Sequence, residues 1–256
     1  MGILNVTPDS FSDGGRYLRA ADAVARGREM FAEGADVVDV GGESTRPGAD
    51  PVGEEEELRR VVPVVEALAG TGRVSVDTTK PAVARAAVGA GAVLVNDVSG
   101  GLGTVAAELS VGWVSMHMRG TPRTMQDDLV YNDVVAEVHA QILERAVAAR
   151  RSGVPEVWVD PGIGFAKTAA QNLQLLAAMP ELVSSAREAG ARVLVGTSRK
   201  SFLAGFGGTE GRPVPVGERL GASLATAVWS MAAGADMVRV HDVAPSVQAA
   251  TLVGST

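Results

Sequence analysis

The sequence "GADVVDVGGEST" at residues 34–45 decides the fold, because it joins a short apolar run to a glycine-rich polar segment. Related phrases recur as "GARVLVGTSRK" at residues 190–200 and "GADMVRVHD" at residues 234–242. A glycine at a helix end, followed by a short turn and a strand, is typical of repeated βα units. Eight apolar runs of this kind lie at residues 2–6, 36–40, 74–76, 93–95, 113–116, 157–159, 193–195 and 237–240.

These runs are continuous rather than alternating, which indicates strands buried on both faces of a parallel sheet. Ala-rich amphipathic segments predict helices at residues 20–33, 54–69, 81–89, 105–109, 134–151, 171–189, 218–233 and 245–253, with Asn132 as the N-cap of the fifth. The sequence therefore predicts one α/β domain over residues 1–256, a (β/α)8 TIM barrel. Its active site is expected at the C-terminal ends of the strands.

Composition excludes several classes of protein. The 256 residues include no cysteine, which excludes disulfides, thiolate nucleophiles and cysteine-ligated metals. No stretch approaches the ~20 apolar residues of a membrane span, and the first residues read as a strand rather than a signal peptide. We therefore expect a cytoplasmic protein with no membrane partner. A net charge of −7 argues against a nucleic-acid partner, which requires a basic surface.

Each predicted strand leads into residues that can carry chemistry. They include Asn5, Asp77, Asn96, His117, Asp160, Lys200, Arg239 and His241. Alternation along a strand places Arg239 and His241 on one face, where they would form a clamp for phosphate. The "GGESTRPG" segment at residues 41–48 offers glycine-freed amides, Thr45 and Arg46 to an anionic or polar group. "TPDS" at residues 7–10 is, taken alone, ordinary turn chemistry.

Other residues are expected to have structural roles. The acidic run at residues 54–57 is predicted to face solvent in the first turn of a helix. We expect a turn or helix cap at Asp97, a core position for Trp158, surface positions for His139 and Arg219, and either a core or a subunit contact for Trp229. Two interpretations, pocket lining and core filling, remain open for His117 and Met118.

Five strings in this order resemble the dihydropteroate synthases of folate biosynthesis, the enzymes that sulfonamides inhibit. They are "NVTPDSFSDGG" at 5–15, "ESTRPG" at 43–48, "DPGIGF" at 160–165, "SRKSF" at 198–202 and "RVHD" at 239–242. The resemblance extends from residue 2 to about residue 243, and "GGEST" with the Ala-rich helices is most similar to the actinobacterial branch. Other members carry a short segment before the first strand, so we expect the N-terminal end of that strand to be poorly covered here.

The resemblance implies a transferase that condenses 4-aminobenzoate with (7,8-dihydropterin-6-yl)methyl diphosphate. The products are 7,8-dihydropteroate and diphosphate. It further implies Mg2+ as cofactor and a homodimer formed through the helical outer wall. The loops after the first two strands would close over a cationic pterin intermediate and exclude water.

The resemblance also implies roles for individual residues. Asp160 would bind the donor edge of the pterin, with Asn96 and Asp77 beside it and Lys200 at a ring oxygen or nitrogen. Asn5 would bind Mg2+, which acts on the diphosphate together with Arg239 and His241. Thr45, Arg46, Pro47, Phe165 and Ser201 would form the aminobenzoate pocket, and Met118 would line the pterin site. Catalytic roles fall to Asp9, Arg46, Asp77 and Lys200, with Phe11 and Ser12 acting from the first loop.

Two other functions fit parts of the sequence. A pterin-binding barrel that passes a methyl group to a corrinoid would share the pterin-edge residues, but it has no need of the "SRKSF" and "RVHD" strings. A non-catalytic paralogue would bind pterin without turnover, yet the chain retains Asn5, Arg46, Lys200 and His241. Both alternatives therefore explain less of the sequence than the synthase does.

Overall fold

Eight short strands alternate with helices along the chain. The structure is a computed structural model that describes residues 1–7, 16–46, 48–207 and 212–255. The strands are β1 (Gly2–Asn5), β2 (Val37–Gly41), β3 (Arg73–Asp77), β4 (Leu94–Asp97), β5 (Gly112–Met116), β6 (Val157–Asp160), β7 (Arg192–Val195) and β8 (Met237–Val238). Each overlaps one of the predicted apolar runs, and most boundaries differ by only one or two residues. The predicted α/β class is confirmed.

The strands form one sheet in the order β1 to β8, and every neighbouring pair is parallel. The sheet curls, because residues beside its first and last strands meet. Ile3 N–H donates to the Val240 carbonyl at 2.9 Å, and Val240 N–H donates to the Met1 carbonyl at 2.9 Å. All eight C-terminal strand ends therefore open at the same end of the curled sheet.

The two faces of the sheet differ in chemistry. Outward-facing residues such as Val38, Val40 and Val76 belong to the main hydrophobic core shared with the helices. The inner face begins with a smaller apolar cluster at the N-terminal end, made of Met1, Val37, Leu94, Val114, Trp158 and Leu194. Trp158 is buried, as predicted. Polar residues replace this apolar layer toward the C-terminal ends of the strands.

Helices surround the sheet. They are α1 (Arg16–Ala32), α2 (Glu54–Ala69), α3 (Pro81–Gly89), α4 (Gly103–Leu109), α5 (Val134–Arg151), α6 (Ala169–Ala177), α7 (Met179–Glu188), α8 (Leu220–Ala232) and α9 (Val243–Val253). The single helix predicted over residues 171–189 is wrong: it divides at Ala178, because Pro180 suits the first turn of a new helix. The N-cap of α5 is Asp133 rather than Asn132, and its carboxylate accepts from the amides of Val135 and Ala136.

The predicted exposure of the whole 54–57 acidic run is wrong at its last residue. Glu57 is fully buried, and its carboxylate lies 2.5 Å from the Lys80 ammonium. The same ammonium lies 2.5 Å from Glu43, whose carboxylate also accepts from the Val52 amide at 2.9 Å. This three-residue ion network ties both ends of the segment after β2 to the helices beside it.

The N-terminal end of β1 is better covered than the sequence suggests. Met1 is buried, and its amino group donates to the Val238 carbonyl at 2.9 Å. A cavity of about 560 Å3 nevertheless lies against Met1, Trp158, Met237 and the inner side of α9. Within the described ranges, no helix is both long and apolar enough to cross a bilayer.

Replacing Lys80 with Met tests the buried ion network. The substitution leaves Glu57 fully buried with no cation beside it, so we expect the free energy of unfolding to fall by about 3–5 kcal/mol. Urea denaturation monitored by far-UV circular dichroism measures the change.

The matched control is Arg85→Ala. Arg85 pairs with Glu108 on the surface, where both side chains are about half exposed. Surface pairs contribute about 0–1 kcal/mol, so Arg85→Ala should change stability little. Equal losses in the two variants would contradict a special role for the buried network.

Candidate active site

Polar side chains converge at the C-terminal end of the curled sheet. We call this group the strand-end cluster and define it as Asp39, Asp77, Asn96, Asp160, Lys200 and Arg239. Asp77, Asn96 and Asp160 are at most 6% exposed. They share the inner face because alternate residues of neighbouring parallel strands point the same way. All but Asp39 are residues that the sequence predicts at the site.

Arg239 links the two acidic residues of the neighbouring strands. Its Nε donates to Asp39 at 2.7 Å and a terminal nitrogen donates to Asp77 at 2.8 Å. The Asn96 amide nitrogen also donates to Asp39, at 2.8 Å. The sequence does not predict Asp39. Arg239 is bound by two carboxylates, and its predicted part in a phosphate clamp stays a prediction.

Asp160 is held by the turn that follows β6. Its carboxylate accepts from the Gly162 amide at 2.7 Å. Gly162 has φ +66°, and a Cβ atom there would lie 1.9 Å from the His117 carbonyl oxygen. The position therefore requires glycine, and the local chain geometry sets where the carboxylate points.

Lys200 extends into the cluster from the segment after β7. Its ammonium lies 3.7 Å from the centre of the Phe165 ring, a cation–π contact. The stem crosses Gly164, where an added Cβ would meet Lys200 Cδ at 3.0 Å. Phe165 and Lys200, predicted in separate strings, are thus brought into direct contact.

Burial changes the acid–base properties of this cluster. It raises the pKa of Asp77 to about 7, against the opposing charge of Arg239, and it raises the pKa of Asp160 as well. It also lowers the pKa of Lys200 to about 8, helped by the positive charge of Arg239. Such shifts are common where a protein must hold and move protons, so they mark this cluster as a candidate active site.

His241 lies beside the cluster and is held by Ser198. Its Nδ1 is 3.0 Å from the Ser198 hydroxyl. Burial, reinforced by the positive charge of Arg199, lowers the pKa of His241 to about 3. The imidazole is therefore neutral near pH 7 and can offer a hydrogen bond without a full charge.

Arg219 is not the surface charge that the sequence predicts. It donates to the backbone carbonyls of Val214 and Arg199, at 2.9 and 3.1 Å. Arg199 itself has φ +60°, and its guanidinium pairs with Asp242 at 2.6 Å. These contacts hold the backbone from which Lys200 extends, a role that a single arginine at a helix start does not reveal.

Lys167 is a buried lysine that the sequence analysis missed. Its ammonium donates to the carbonyls of Gly162 and Phe165, at 3.1 and 2.9 Å, and lies 3.0 Å from His117 Nδ1. Burial lowers the pKa of Lys167 to about 7 and that of His117 to about 3. The pair closes the turn that carries Phe165.

Met118 packs on the small apolar cluster that contains Phe165, so it borders the site.

Other residues with expected structural roles lie where their contacts explain them. Asp97 accepts from the amides of Ser99 and Leu102, at 2.9 and 2.7 Å, which is the cap role predicted for it. His139 is half-buried rather than at the surface. Trp229 is 42% exposed, which excludes the core interpretation.

Asn5 lies at the end of β1 and approaches the cluster. A Cβ atom placed on Gly41 would lie 3.8 Å from the Asn5 amide oxygen and 3.7 Å from an Asp77 oxygen. Oxygen donors suit Mg2+, which keeps several waters of its own. The described ranges contain no group of three His, Asp or Glu side chains that could hold a metal. Asn5 therefore fits a cation that takes most of its ligands from a substrate and water.

Some predicted residues are not joined to the cluster. Thr45 is half-buried and Arg46 is exposed. Among the described residues, no side-chain hydrogen bond links Thr45, Arg46 or Ser201 to the cluster. The Gly48 amide donates to the Pro122 carbonyl at 3.0 Å, which places the loop after β2 beside the loop after β5. Asp9, Phe11, Ser12 and Pro47 lie outside the described residues.

The sequence matches the family described as pterin binding enzyme over residues 1–241. A dihydropteroate synthase of Mycobacterium leprae is 48% identical, and the match covers 100% of this chain and 92% of that protein. The Escherichia coli dihydropteroate synthase is 44% identical, with 100% of this chain and 90% of that protein covered.

The chain is also similar to solved structures of dihydropteroate synthases. The Xanthomonas albilineans dihydropteroate synthase with 4-aminobenzoic acid superposes with a TM-score of 0.88 and is 46% identical, covering 99% of this chain and 91% of that chain. The Yersinia pestis dihydropteroate synthase with a sulfonamide drug complex has a TM-score of 0.88 and 41% identity, covering 99% of this chain and 92% of that chain.

Gly162→Ala tests the turn that holds Asp160. The added methyl would collide with the His117 carbonyl and force an unfavourable positive φ, so the free energy of unfolding should fall by more than about 2 kcal/mol. Gly89→Ala is the control, because no atom lies within 4 Å of its Cβ position at the end of α3. It should leave stability unchanged or raise it by up to about 1 kcal/mol. Urea denaturation of both variants gives the comparison, and a fully stable Gly162→Ala protein would contradict this account of the turn.

Proposed function

The chain belongs to the pterin binding enzyme family and, within it, to the dihydropteroate synthases, and from this premise we propose how its strand-end cluster performs their reaction. The reaction joins 4-aminobenzoate to (7,8-dihydropterin-6-yl)methyl diphosphate. The amine nitrogen forms a bond to the methylene carbon, the carbon–oxygen bond to diphosphate breaks, and the amine releases a proton. The observation that carries the proposal is the group formed at one end of the sheet by the buried Asp77, Asn96 and Asp160 and the half-buried Lys200.

We propose that the pterin ring binds edge-on to Asp160. Its amidine-like edge presents two N–H donors, and a carboxylate offers two acceptor oxygens. One Asp160 oxygen is already anchored by Gly162, which fixes the direction of the carboxylate without using its full acceptor capacity. Asn96 and Asp77 then face other polar atoms of the ring, and Lys200 donates to a ring oxygen or nitrogen.

The contact between Lys200 and Phe165 supports a neighbouring site for 4-aminobenzoate. Phe165 offers a flat apolar face for an aromatic ring, and Lys200 borders both sites. Roles for Thr45, Arg46, Pro47 and Ser201 in this pocket remain predictions. Catalytic roles for Asp9 and Arg46 likewise remain predictions.

Leaving-group departure needs positive charge near the diphosphate. His241 offers a neutral N–H donor and Arg199 lies close to it. Arg239 remains a prediction for this role, since Asp39 and Asp77 already bind its guanidinium. Asn5 is the residue that would hold Mg2+, and the ion would supply neutralising charge to the phosphate oxygens. The protein residues themselves orient the ring and exclude water from the reacting carbon.

We also propose that the curled sheet is a closed (β/α)8 barrel. The parallel bridge between Gly2 and Val240 supports closure between the first and last strands. A homodimer through the helical outer wall is supported by large apolar side chains that remain exposed on and beside α8, Trp229, Leu220 and Val216. The cytoplasmic location stays a prediction from the sequence.

Diphosphate release from the purified protein tests the function. The protein is given the pterin diphosphate with and without 4-aminobenzoate, and each reaction is run with and without Mg2+. Release that depends on the amine, with 7,8-dihydropteroate formed, is the expected result. Pterin binding without product would support the non-catalytic alternative, and loss of release without Mg2+ would support the role of the ion.

Asp160→Asn tests the pterin-edge assignment. An amide can still accept from Gly162, so the turn should survive, but it cannot accept both hydrogen bonds from the amidine edge. We expect pterin affinity to fall at least tenfold, measured by calorimetry with 6-hydroxymethyl-7,8-dihydropterin.

Asp133→Asn is the control for this substitution. It makes the same chemical change at the N-cap of α5, where asparagine caps as well as aspartate does. It should leave pterin affinity unchanged. Unchanged affinity in Asp160→Asn as well would remove Asp160 from the proposed role.

A further inference from the structure

Asp39 is a charged residue inside the curled sheet that no substrate can reach directly. It lies in the middle of β2 with no exposed surface, between the outward-facing Val38 and Val40. Burying a carboxylate is costly unless it is paired and hydrogen-bonded. A carboxylate in this position therefore requires hydrogen-bond partners within the protein.

Two members of the strand-end cluster meet on a single oxygen of Asp39. The Asn96 amide nitrogen donates to Oδ2 at 2.8 Å, and Arg239 Nε donates to the same atom at 2.7 Å. Asn96 comes from β4, two strands away, and Arg239 follows β8 on the other side of the sheet. Within the cluster, Asp39 thus joins residues that come from distant strands.

This contact decides which way the Asn96 amide faces. The oxygen and nitrogen ends of an asparagine side chain have nearly the same shape, so packing alone does not choose between them. An ionised carboxylate only accepts hydrogen bonds, so the nitrogen must face Asp39. The Asn96 oxygen is then presented on the opposite side as an acceptor.

The same carboxylate holds Arg239 in place. With Nε bound to Asp39, a terminal nitrogen reaches Asp77 at 2.8 Å. The negative charge of Asp39 also acts on Asp77, whose pKa it raises, after the larger effects of burial and Arg239. Asp39 therefore acts on three other members of the cluster, Asn96, Arg239 and Asp77.

We propose that Asp39 is a positioning residue for pterin recognition, which fixes the amide of Asn96 as an acceptor toward a ring N–H and holds Arg239 against Asp77. The proposal rests on the proposed function, because it assigns the pterin to the strand-end cluster. The ligand group it selects is an N–H donor, and a ring acceptor at that place would be disfavoured.

Two substitutions of Asp39 separate positioning from packing. Asp39→Val removes the acceptor while suiting a buried strand, and Asp39→Asn keeps one acceptor oxygen but no charge. We expect Asp39→Val to weaken binding of 6-hydroxymethyl-7,8-dihydropterin at least tenfold. The affinity of Asp39→Asn should lie between those of Asp39→Val and the wild type. The KM for 4-aminobenzoate should change less than twofold.

Ser75→Ala is the matched control. Ser75 pairs with Asp39 in the register of β2 and β3, is equally buried, and its hydroxyl has no hydrogen-bond partner among the described residues. It should bind the pterin within twofold of the wild type. Wild-type affinity in a folded Asp39→Val protein would overturn the proposal.

A double-mutant cycle with Asn96→Ala asks whether Asp39 acts through Asn96. If it does, Asp39→Val should weaken binding much less in the Asn96→Ala background than in the wild type. Full additivity would overturn the proposed route.

A measurement on the wild-type protein covers the case in which Asp39→Val does not fold. The chain has four asparagines, Asn5, Asn96, Asn132 and Asn172, so selective nitrogen-15 labelling gives a simple spectrum of side-chain amides. The Asn96 signal should show one proton shifted downfield and protected from exchange. Two rapidly exchanging protons would contradict the fixed orientation. A wild type that binds no pterin would instead contradict the proposed function, and the amide signal would still decide the role of Asp39.

Discussion

The structure depends on how three buried carboxylates and two cations share the inside of the sheet. Asp39, Asp77 and Asp160 lie within the curled sheet with Arg239 and Lys200, and Arg239 bonds directly to two of the acids. In a low-dielectric interior, burying an isolated charge is costly, and a neighbouring charge of opposite sign offsets part of that cost. Burial, and then the negative charges of Asp39 and Glu57, raise the pKa of Asp77 against the opposing charge of Arg239. The side-chain contacts that join these strands thus involve the same residues to which we assign the pterin ring.

Apolar periodicity predicts the scaffold well, because every strand must be buried on both faces. It fails for Asp39, since a carboxylate within "VVDVG" leaves the run apolar overall and the partners, Asn96 and Arg239, are distant in sequence. The burial of Glu57, in contrast, could have been predicted from the spacing of the apolar residues that follow it. Val61, Val64, Val65 and Leu68 follow it at helical spacing, which places Glu57 on the buried stripe of α2. Lys167 could not be found in this way, because its acceptors are backbone carbonyls of a turn whose shape only the fold defines.

In the candidate site, some residues are positioned by regular strands and others by irregular turns, and only the first kind can be predicted from the sequence. Strand-end residues such as Asp77, Asn96 and Asp160 are positioned by regular sheet geometry, so their convergence follows from counting along each strand. Lys200 and Phe165 come together through two irregular turns, one containing Arg199 and the other Ala166, both with positive φ. Supporting contacts such as those from Arg219 and Lys167 stabilise these turns. Sequence motifs mark the turns, but the contacts that shape them become visible only in three dimensions.

The junction between the first and last strands has a consequence for biosynthesis. The Met1 amino group bonds to the Val238 carbonyl, and Ile3 and Val240 are paired next to it, so β1 must wait for a partner that lies 237 positions later in the chain. A ribosome extends a chain by roughly 5–20 residues each second, which leaves β1 without its second neighbour for about ten seconds or more. During that interval the nascent chain exposes an unpaired strand edge, the kind of surface that chaperones protect. The junction between β1 and β8 can therefore form only after the other strands of the sheet have been made.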